Sequence, residues 1–166
     1  MNEPKPRVRS ILFVCTGNVF RSVAAEYGLK LLVGQHSPYR IGSAGIDAKP
    51  QPVHDWVKDC LRDKGADVSG HIQRRLTKEL VAETDLIVAM SRNHQVFVQR
   101  EYGRQAPLFK QLCHGLDEPI PDLHEQYPDW ERDLALARRY VVSIIDMIWM
   151  DLPSLLYKLP HERPQS

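Results

Sequence analysis

The chain has 166 residues, 22 basic and 21 acidic side chains, and three cysteines. This length suits one compact core rather than two, and the balanced charge gives no electrostatic footprint for nucleic acid. Three unevenly spaced cysteines do not form a disulfide framework, and the start lacks the apolar run of a signal peptide, so we expect a cytoplasmic protein.

Apolar periodicity predicts alternating strands and helices along the chain. Strands are expected near residues 10–15, 39–43, 85–90 and 107–112, and helices near 22–33, 53–65, 77–82, 92–101 and 129–150. Strands separated by helices favour right-handed crossovers. We therefore predict an α/β fold with a four-stranded, parallel, doubly wound sheet and helices on both faces. The predicted boundaries are a flexible arm over 1–8, a single domain over 9–152 and a C-terminal extension over 153–166.

The first predicted strand ends at a polar loop that carries Cys15 and, six positions later, Arg21. Four apolar residues precede the cysteine, as a buried parallel strand requires, and a helical pattern begins at Ser22. Gly17 and Asn18 tolerate the strained backbone that turns loop N–H groups inward. The positive end of the helix then points at the same place. This loop predicts a binding site for a tetrahedral oxyanion.

A thiol and a guanidinium at such a loop indicate phosphate-ester cleavage through a covalent cysteine intermediate. A free thiol is only a few per cent ionised at neutral pH, but inward-facing amides, Arg21 and the hydroxyl of Ser22 all favour the thiolate of Cys15. The guanidinium offers a planar fork that matches two phosphoryl oxygens. The alternative interpretation is a structural cysteine followed by an ordinary turn.

The loop resembles the phosphate loop of the low-molecular-weight protein tyrosine phosphatases. The matching run is Cys15-Thr16-Gly17-Asn18-Val19-Phe20-Arg21-Ser22, followed by Ala25-Glu26. Further motifs match in chain order, namely Ser43-Ala44-Gly45, Gly70-His71, residues 85–90 and Ile120-Pro121-Asp122. The resemblance covers residues 8–150. It implies a phosphomonoesterase, first of all a protein-tyrosine phosphatase, that needs no metal or other cofactor and binds phosphate through Thr16, Gly17, Asn18, Val19, Phe20, Arg21 and Ser22.

The same resemblance assigns roles to residues outside the loop. Asn18, Ser22, Ser43 and His71 would form a hydrogen-bonded network that holds the loop and favours the thiolate. Asp122 would protonate the leaving group and later activate water. Taken singly, Ser43 suits a strand-end turn, His71 a surface position and Asp122 a solvated loop.

Several positions depart from the family pattern. Leu123 and His124 follow the predicted acid, where the family has proline and often an aromatic residue. Phe20 stands where many members have a second cysteine, so no disulfide across the loop can protect the nucleophile. Lys49 lies about where relatives acting on phosphotyrosine peptides carry an aromatic residue, which predicts poorer stacking on a phenyl ring. Val19 is apolar and β-branched, as in the tyrosine-specific branch, where members resembling arginine phosphatases have threonine.

Two alternatives to the hydrolase stay open at this stage. One is an arsenate reductase, which would need an external thiol because Cys60 and Cys113 are not placed for a disulfide relay. The other is a phosphate-binding module without catalysis, in which Asp122 is misplaced. The expected partners are a phosphorylated protein or a small aryl phosphate. The seven histidines show no metal-binding spacing, and His54, His94, His114 and His124 are expected at the surface.

The last apolar stretch covers residues 141–157 and is interrupted by Asp146, Asp151 and Pro153. Two acids and a proline argue against a membrane-spanning helix. The periodicity favours a final helix that packs one apolar stripe on the sheet. The surplus of apolar residues leaves room for a dimer contact or a loose membrane-surface contact, so we expect a monomer or a weak homodimer.

Overall fold

A three-stranded parallel sheet forms the centre of the computed structural model, which describes residues 7–159. Strand β1 (Ser10–Cys15) lies in the middle, between β2 (Arg40–Gly45) and β3 (Leu86–Ala89). Every residue of β1 is buried, as its apolar run predicts. The chain leaves β1 toward one neighbour and later returns to the other, so the carboxyl end of β1 lies at the switch point where open α/β sheets bind ligands.

Seven α-helices and one 3-10 turn surround the sheet within residues 7–159. They are α1 (Arg21–Val33), α2 (Asp55–Asp63), α3 (Lys78–Glu83), α4 (Arg92–Tyr102), α5 (Phe109–His114), α6 (Leu123–Gln126), the 3-10 turn (Trp130–Arg132) and α7 (Leu134–Lys158). Apolar residues of α1, α2, α5 and α7 cover one face of the sheet, and those of α3 and α4 cover the other. The prediction of a parallel sheet flanked by helices is confirmed.

The predicted fourth strand over 107–112 is wrong. Only Leu108 pairs with β3, through a single bridge to Ala89, and α5 begins at the next residue. The apolar side chains of Phe109, Leu112 and Cys113 follow a helical spacing, which buries them on the same face as α7. A short apolar run of this kind does not distinguish a strand from a helix by itself.

The final helix also differs from its predicted range of 129–150. It starts after Asp133, whose carboxylate accepts a hydrogen bond from Leu136 N–H at 3.0 Å, and continues through Pro153. An internal proline costs a helix about 3 kcal/mol. Burial of Leu152 and Leu155 offsets this cost, because each fully buried leucine contributes roughly 1.5–3 kcal/mol.

Helix α7 is long and apolar enough to cross a membrane by length and composition alone, a test that core helices of soluble proteins also pass. Here one stripe of the helix packs against α1, α2 and α5. The stripe contains Val141, Ile144, Ile145, Ile148, Leu152 and Leu155. Residues 1–6 and 160–166, where parts of the predicted arm and extension fall, lie outside the described residues.

The contact between α1 and α7 gives a stability prediction. A Cβ added at Gly28 would lie 2.5 Å from the side chain of Leu152 and 2.8 Å from that of Trp149, so these side chains or the helices must shift. We expect Gly28→Ala to lower the free energy of unfolding by about 1–3 kcal/mol through overpacking, although alanine raises helix propensity by roughly 1 kcal/mol. Urea titration followed by circular dichroism measures the change.

The matched control is Gly70→Ala. No atom lies within 4 Å of a Cβ built there, so this variant should stay within about 0.5 kcal/mol of the wild type. Equal stability of the two variants would contradict the packing of α1 on α7.

Candidate active site

Asn18 sets the shape of the loop formed by residues 15–22, here called the anion loop. It has φ +55°, the only left-handed backbone among the non-glycine residues in the described range. Its amide nitrogen donates to the hydroxyls of Ser22 (3.0 Å) and Ser43 (2.8 Å), and its amide oxygen accepts from Arg74 N–H (3.0 Å). Its backbone carbonyl accepts from His71 Nε2 (3.0 Å). The structure therefore brings together all four residues of the predicted network.

One end of this hydrogen-bonded network lies at the sulfur of Cys15. Its sulfur lies 2.9 Å from Ser22 Oγ, which already accepts a hydrogen bond from Asn18. The hydroxyl proton of Ser22 is therefore free to donate to the sulfur. At the other end, Ser43 donates to the carboxylate of Glu26, which is buried at 6% exposure. The sequence motif included Glu26, but only the fold shows that its carboxylate orients the hydroxyl of Ser43.

The remaining loop residues lie between the sheet and α1. Thr16 and Phe20 flank the left-handed turn, and Gly17 itself does not adopt positive φ, so only its neighbour supplies the expected strained backbone. Gly45 at the end of β2 comes so close that an added Cβ would lie 2.4 Å from the carbonyl oxygen of Thr16. Glycine is thus needed at position 45, because the end of β2 lies too close to the backbone of the anion loop for a side chain to fit. Val19, within the anion loop, is half-buried.

Arg21 is buried at 1% exposure beneath the loop. Its Nη1 donates to Ser91 Oγ at 3.0 Å and to the carbonyl of Ile120 at 2.8 Å. Its Nη2 is buried and has no hydrogen-bond partner within residues 7–159, although a carboxylate oxygen of Asp122 lies 3.4 Å away. An unpaired buried donor is unfavourable, and an oxyanion in the loop would satisfy it.

A second network, missed by sequence analysis, joins Ser91 and His94 to the loop. His94 is completely buried rather than at the surface. Its Nδ1 accepts from Ser91 N–H at 3.0 Å, so the proton of the neutral ring is on Nε2, which donates to Thr16 Oγ1 at 2.9 Å. Burial, and then the charge of Arg21, lowers the pKa of His94 to about 3. The capping-box spacing of Ser91 and His94 after a strand was the available signal.

Asp122 lies at the start of α6, where its carboxylate accepts a hydrogen bond from Leu123 N–H at 2.8 Å. Its other oxygen is 3.4 Å from Arg21 Nη2 and 3.4 Å from His124 Nδ1. Within the described part of the chain, Asp122, His124 and Glu125 bring ligand atoms within 4.8 Å of one another and could hold a metal ion. The neighbouring guanidinium opposes a cation there. No step of the site chemistry needs a metal.

Four hydrogen bonds hold the segment that precedes Asp122. Ile120 N–H donates to the carbonyl of Met90, and the carbonyl of Ile120 accepts from Ser91 as well as from Arg21. The hydroxyl of Tyr140 on α7 donates to the carbonyl of Pro121. Burial raises the pKa of Tyr140 to about 12, so this donor stays protonated at neutral pH. Asp122 is therefore positioned by hydrogen bonds to the backbone of the two residues before it.

A family model described as low molecular weight phosphotyrosine protein phosphatase matches residues 10–156. The chain belongs to this family. It is 33% identical to the low molecular weight protein-tyrosine-phosphatase Ptp of Acinetobacter johnsonii, over 70% of this chain and 81% of that protein. It is 35% identical to Etp of Escherichia coli K12, over 69% and 78% of the two chains. These matches confirm the resemblance found in the sequence.

The solved structures agree on the fold. A YwlE mutant from Bacillus subtilis superposes with a TM-score of 0.76 and 25% identity, over 91% of this chain and 98% of that one.

The buried imidazole of His94 predicts a pH-dependent stability. In the unfolded chain an ordinary histidine takes up a proton below pH 6.5, whereas His94 in the folded chain does so only near pH 3. Stability is therefore lost as the pH falls below 6.5, by roughly 2 kcal/mol at pH 5. Urea unfolding at pH 7 and pH 5 measures this loss.

The comparison variant is His94→Gln, whose amide can accept from Ser91 and donate to Thr16 without titrating. Between pH 7 and pH 5 the free energy of unfolding of this variant should fall by roughly 2 kcal/mol less than that of the wild type. The same pH dependence in both proteins would show that His94 is not held neutral.

Proposed function

We propose that this protein is a protein-tyrosine phosphatase that hydrolyses phosphate monoesters through a phosphocysteine on Cys15. The observation that carries the proposal is Arg21, a buried guanidinium with one nitrogen fixed by Ser91 and Ile120 and the other without a hydrogen bond, 3.4 Å from a carboxylate oxygen of Asp122. A site that holds one unsatisfied cationic donor next to a thiol is prepared for a dianionic phosphoryl group.

In the first step the thiolate of Cys15 attacks phosphorus and the bond from phosphorus to the ester oxygen breaks. Arg21 Nη2 and the N–H groups of the loop, residues 16–22, hold the equatorial oxygens on which charge is concentrated. The departing oxygen takes the proton of Asp122. The products of this step are a free hydroxyl compound, a phosphocysteine and an Asp122 carboxylate.

In the second step a water molecule attacks phosphorus as the Asp122 carboxylate takes its proton. The sulfur–phosphorus bond breaks, inorganic phosphate leaves and Cys15 returns as a thiolate. The hydroxyl of Ser22, oriented by Asn18, donates to that sulfur and stabilises the anion as a leaving group. Ser43 and His71 support this arrangement by holding Asn18.

The other cysteines favour hydrolysis over arsenate reduction. Cys113 is buried on α5, and burial raises the pKa of its thiol to about 12. Burial also raises the pKa of Cys60 on α2. Neither thiol is suited to attack an adduct on Cys15 as a thiolate. A reductase would therefore depend on an external thiol, whereas the hydrolase needs only groups already at the site.

The proposed substrate is a phosphorylated protein, with phosphotyrosine first, and a small aryl phosphate as its simplest stand-in. The names of the relatives and the apolar Val19 beside the loop support this choice. We place the protein in the cytoplasm, as a monomer or weak homodimer.

Two variants test the mechanism. Cys15→Ser should abolish turnover, because the hydroxyl is far less ionised than the thiol. Asp122→Asn should lower kcat/KM, which reports only the steps up to phosphocysteine formation, about 10²–10⁴-fold for phenyl phosphate, whose leaving group needs a proton, and much less for p-nitrophenyl phosphate. Steady-state kinetics on both esters measure the difference.

The matched control is Asp129→Asn, since Asp129 is an exposed carboxylate a few residues further along. It should leave kcat unchanged. An equal loss of kcat/KM on both esters in Asp122→Asn would remove Asp122 as the acid, and arsenate turnover with added thiol but no ester hydrolysis would replace the phosphatase by the reductase. Phosphate binding without either turnover would leave only a binding module.

A further inference from the structure

An apolar groove opens directly beside the anion loop. It has a volume of about 600 Å³ and lies between the N-terminus of α2, the 3-10 turn and α7. We call it the aromatic groove and define it by Val19, Phe20, Trp56, Leu123, Trp130 and Val141. The side chains of these residues have no part in the chemical steps above, although the backbone N–H groups of Val19 and Phe20 belong to the loop that would hold phosphate.

Two tryptophans form one wall of the aromatic groove. Trp56 and Trp130 meet edge to face, with ring centroids 6.3 Å apart and planes at 77°. His54 packs against Trp56, with ring centroids 4.4 Å apart and planes tilted by 53°, and it caps α2 by accepting a hydrogen bond from Trp56 N–H at 3.2 Å. Both tryptophans are half-buried, so each keeps part of its ring accessible. Rigid, partly open rings of this kind contribute contact area with little loss of side-chain entropy.

The groove is continuous with the reacting centre. Val19 and Phe20 of the anion loop and Asp122 at the acid position all line it. A phosphoester held at Cys15 therefore has the group next to its leaving oxygen at the mouth of the groove. A volume of about 600 Å³ lies in the range of a ligand pocket of roughly 300–1,000 Å³, larger than one phenyl ring can fill.

The rim of the aromatic groove carries little net charge. It has two acidic side chains, Asp55 and Asp122, and one basic side chain, Lys58, and the side chains of His54 and His124 are exposed beside them. Selection in the groove therefore depends on apolar contact rather than on net charge. Lys49, where an aromatic residue was expected from the family, instead pairs with Asp47 at 3.6 Å. The aromatic surface at this site is thus supplied by α2 and the 3-10 turn.

We propose that the aromatic groove binds a large apolar side chain, aromatic first, of a residue that flanks the phosphorylated residue in a protein substrate. This inference rests on the proposed phosphatase function and adds a sequence preference to it. Burial of such a side chain against two tryptophans discriminates against a small polar residue at the same position, and tenfold or more is a typical gain for a filled apolar pocket.

The test measures binding separately from turnover. Two sets of phosphotyrosyl peptides are used, identical except that the residues on both sides of the phosphotyrosine are leucine or phenylalanine in one set and serine in the other. Calorimetry on the Cys15→Ser variant gives the ratio of the two Kd values. We expect the apolar peptides to bind on the order of tenfold more tightly, and Trp56→Ala or Trp130→Ala, each combined with Cys15→Ser, to reduce this ratio to about two or less.

The control is Tyr157→Ala in the same background, because Tyr157 is an aromatic residue of α7 at 80% exposure and is not among the residues lining the groove. It should keep the full ratio. The two tryptophan variants are independent, and a cooperative thermal unfolding transition in either one shows that the loss of preference is not a loss of fold. Trp56→Phe should recover part of the ratio.

The inference is overturned if the Kd ratio is near one in the Cys15→Ser protein, or if it persists in both folded tryptophan variants. It is also overturned if the chain forms a dimer that Trp56→Ala dissociates, since the groove would then hold a second copy of the chain. Failure of the phosphatase proposal has a different signature, namely that the protein with Cys15 intact hydrolyses no phosphate ester.

Discussion

The left-handed backbone of Asn18 is the constraint on which the site depends. A non-glycine residue in this conformation costs roughly 1–2 kcal/mol. The cost is offset because the two amide protons, the amide oxygen and the carbonyl of Asn18 all have partners, each contributing about 1 kcal/mol net. These bonds place Ser22 against the sulfur of Cys15. Asparagine suits this position because it tolerates the left-handed conformation and its short side-chain amide can form hydrogen bonds with neighbouring groups.

Within residues 7–159, Arg21 is the only arginine or lysine that is fully buried, and it lies beneath the anion loop. Lys30 pairs with Glu26 at the far end of the first network, and His94 stays neutral in the second, partly because a second positive charge beside Arg21 is unfavourable. Burying a guanidinium nitrogen without a hydrogen bond costs stability. A bound oxyanion would satisfy this donor with little rearrangement of Arg21.

The order of the strands explains how distant segments reach the same site. Because β1 lies between β2 and β3, the loop after it meets Ser43 on one side and Ser91 on the other. The segment before Asp122 is then held by Met90 after β3 and by Tyr140 on α7. Helix α7 therefore packs in the core and also helps to hold the segment before Asp122. Its packing on α1 contributes to the position of Asp122.

Local pattern alone determined the anion loop, β1, α1 and the identities of Cys15 and Arg21, because a buried strand, a turn and a helix start are coded within about twenty neighbouring residues. Tertiary structure decided what joins residues distant in sequence. The burial of His94 and the pairing of Trp56 with Trp130 depend on contacts that no local pattern contains. Residues 107–112 form a single bridge to β3 rather than a fourth strand because α5 packs into the core. A short apolar run is compatible with a strand or a helix, and only tertiary packing decides between them.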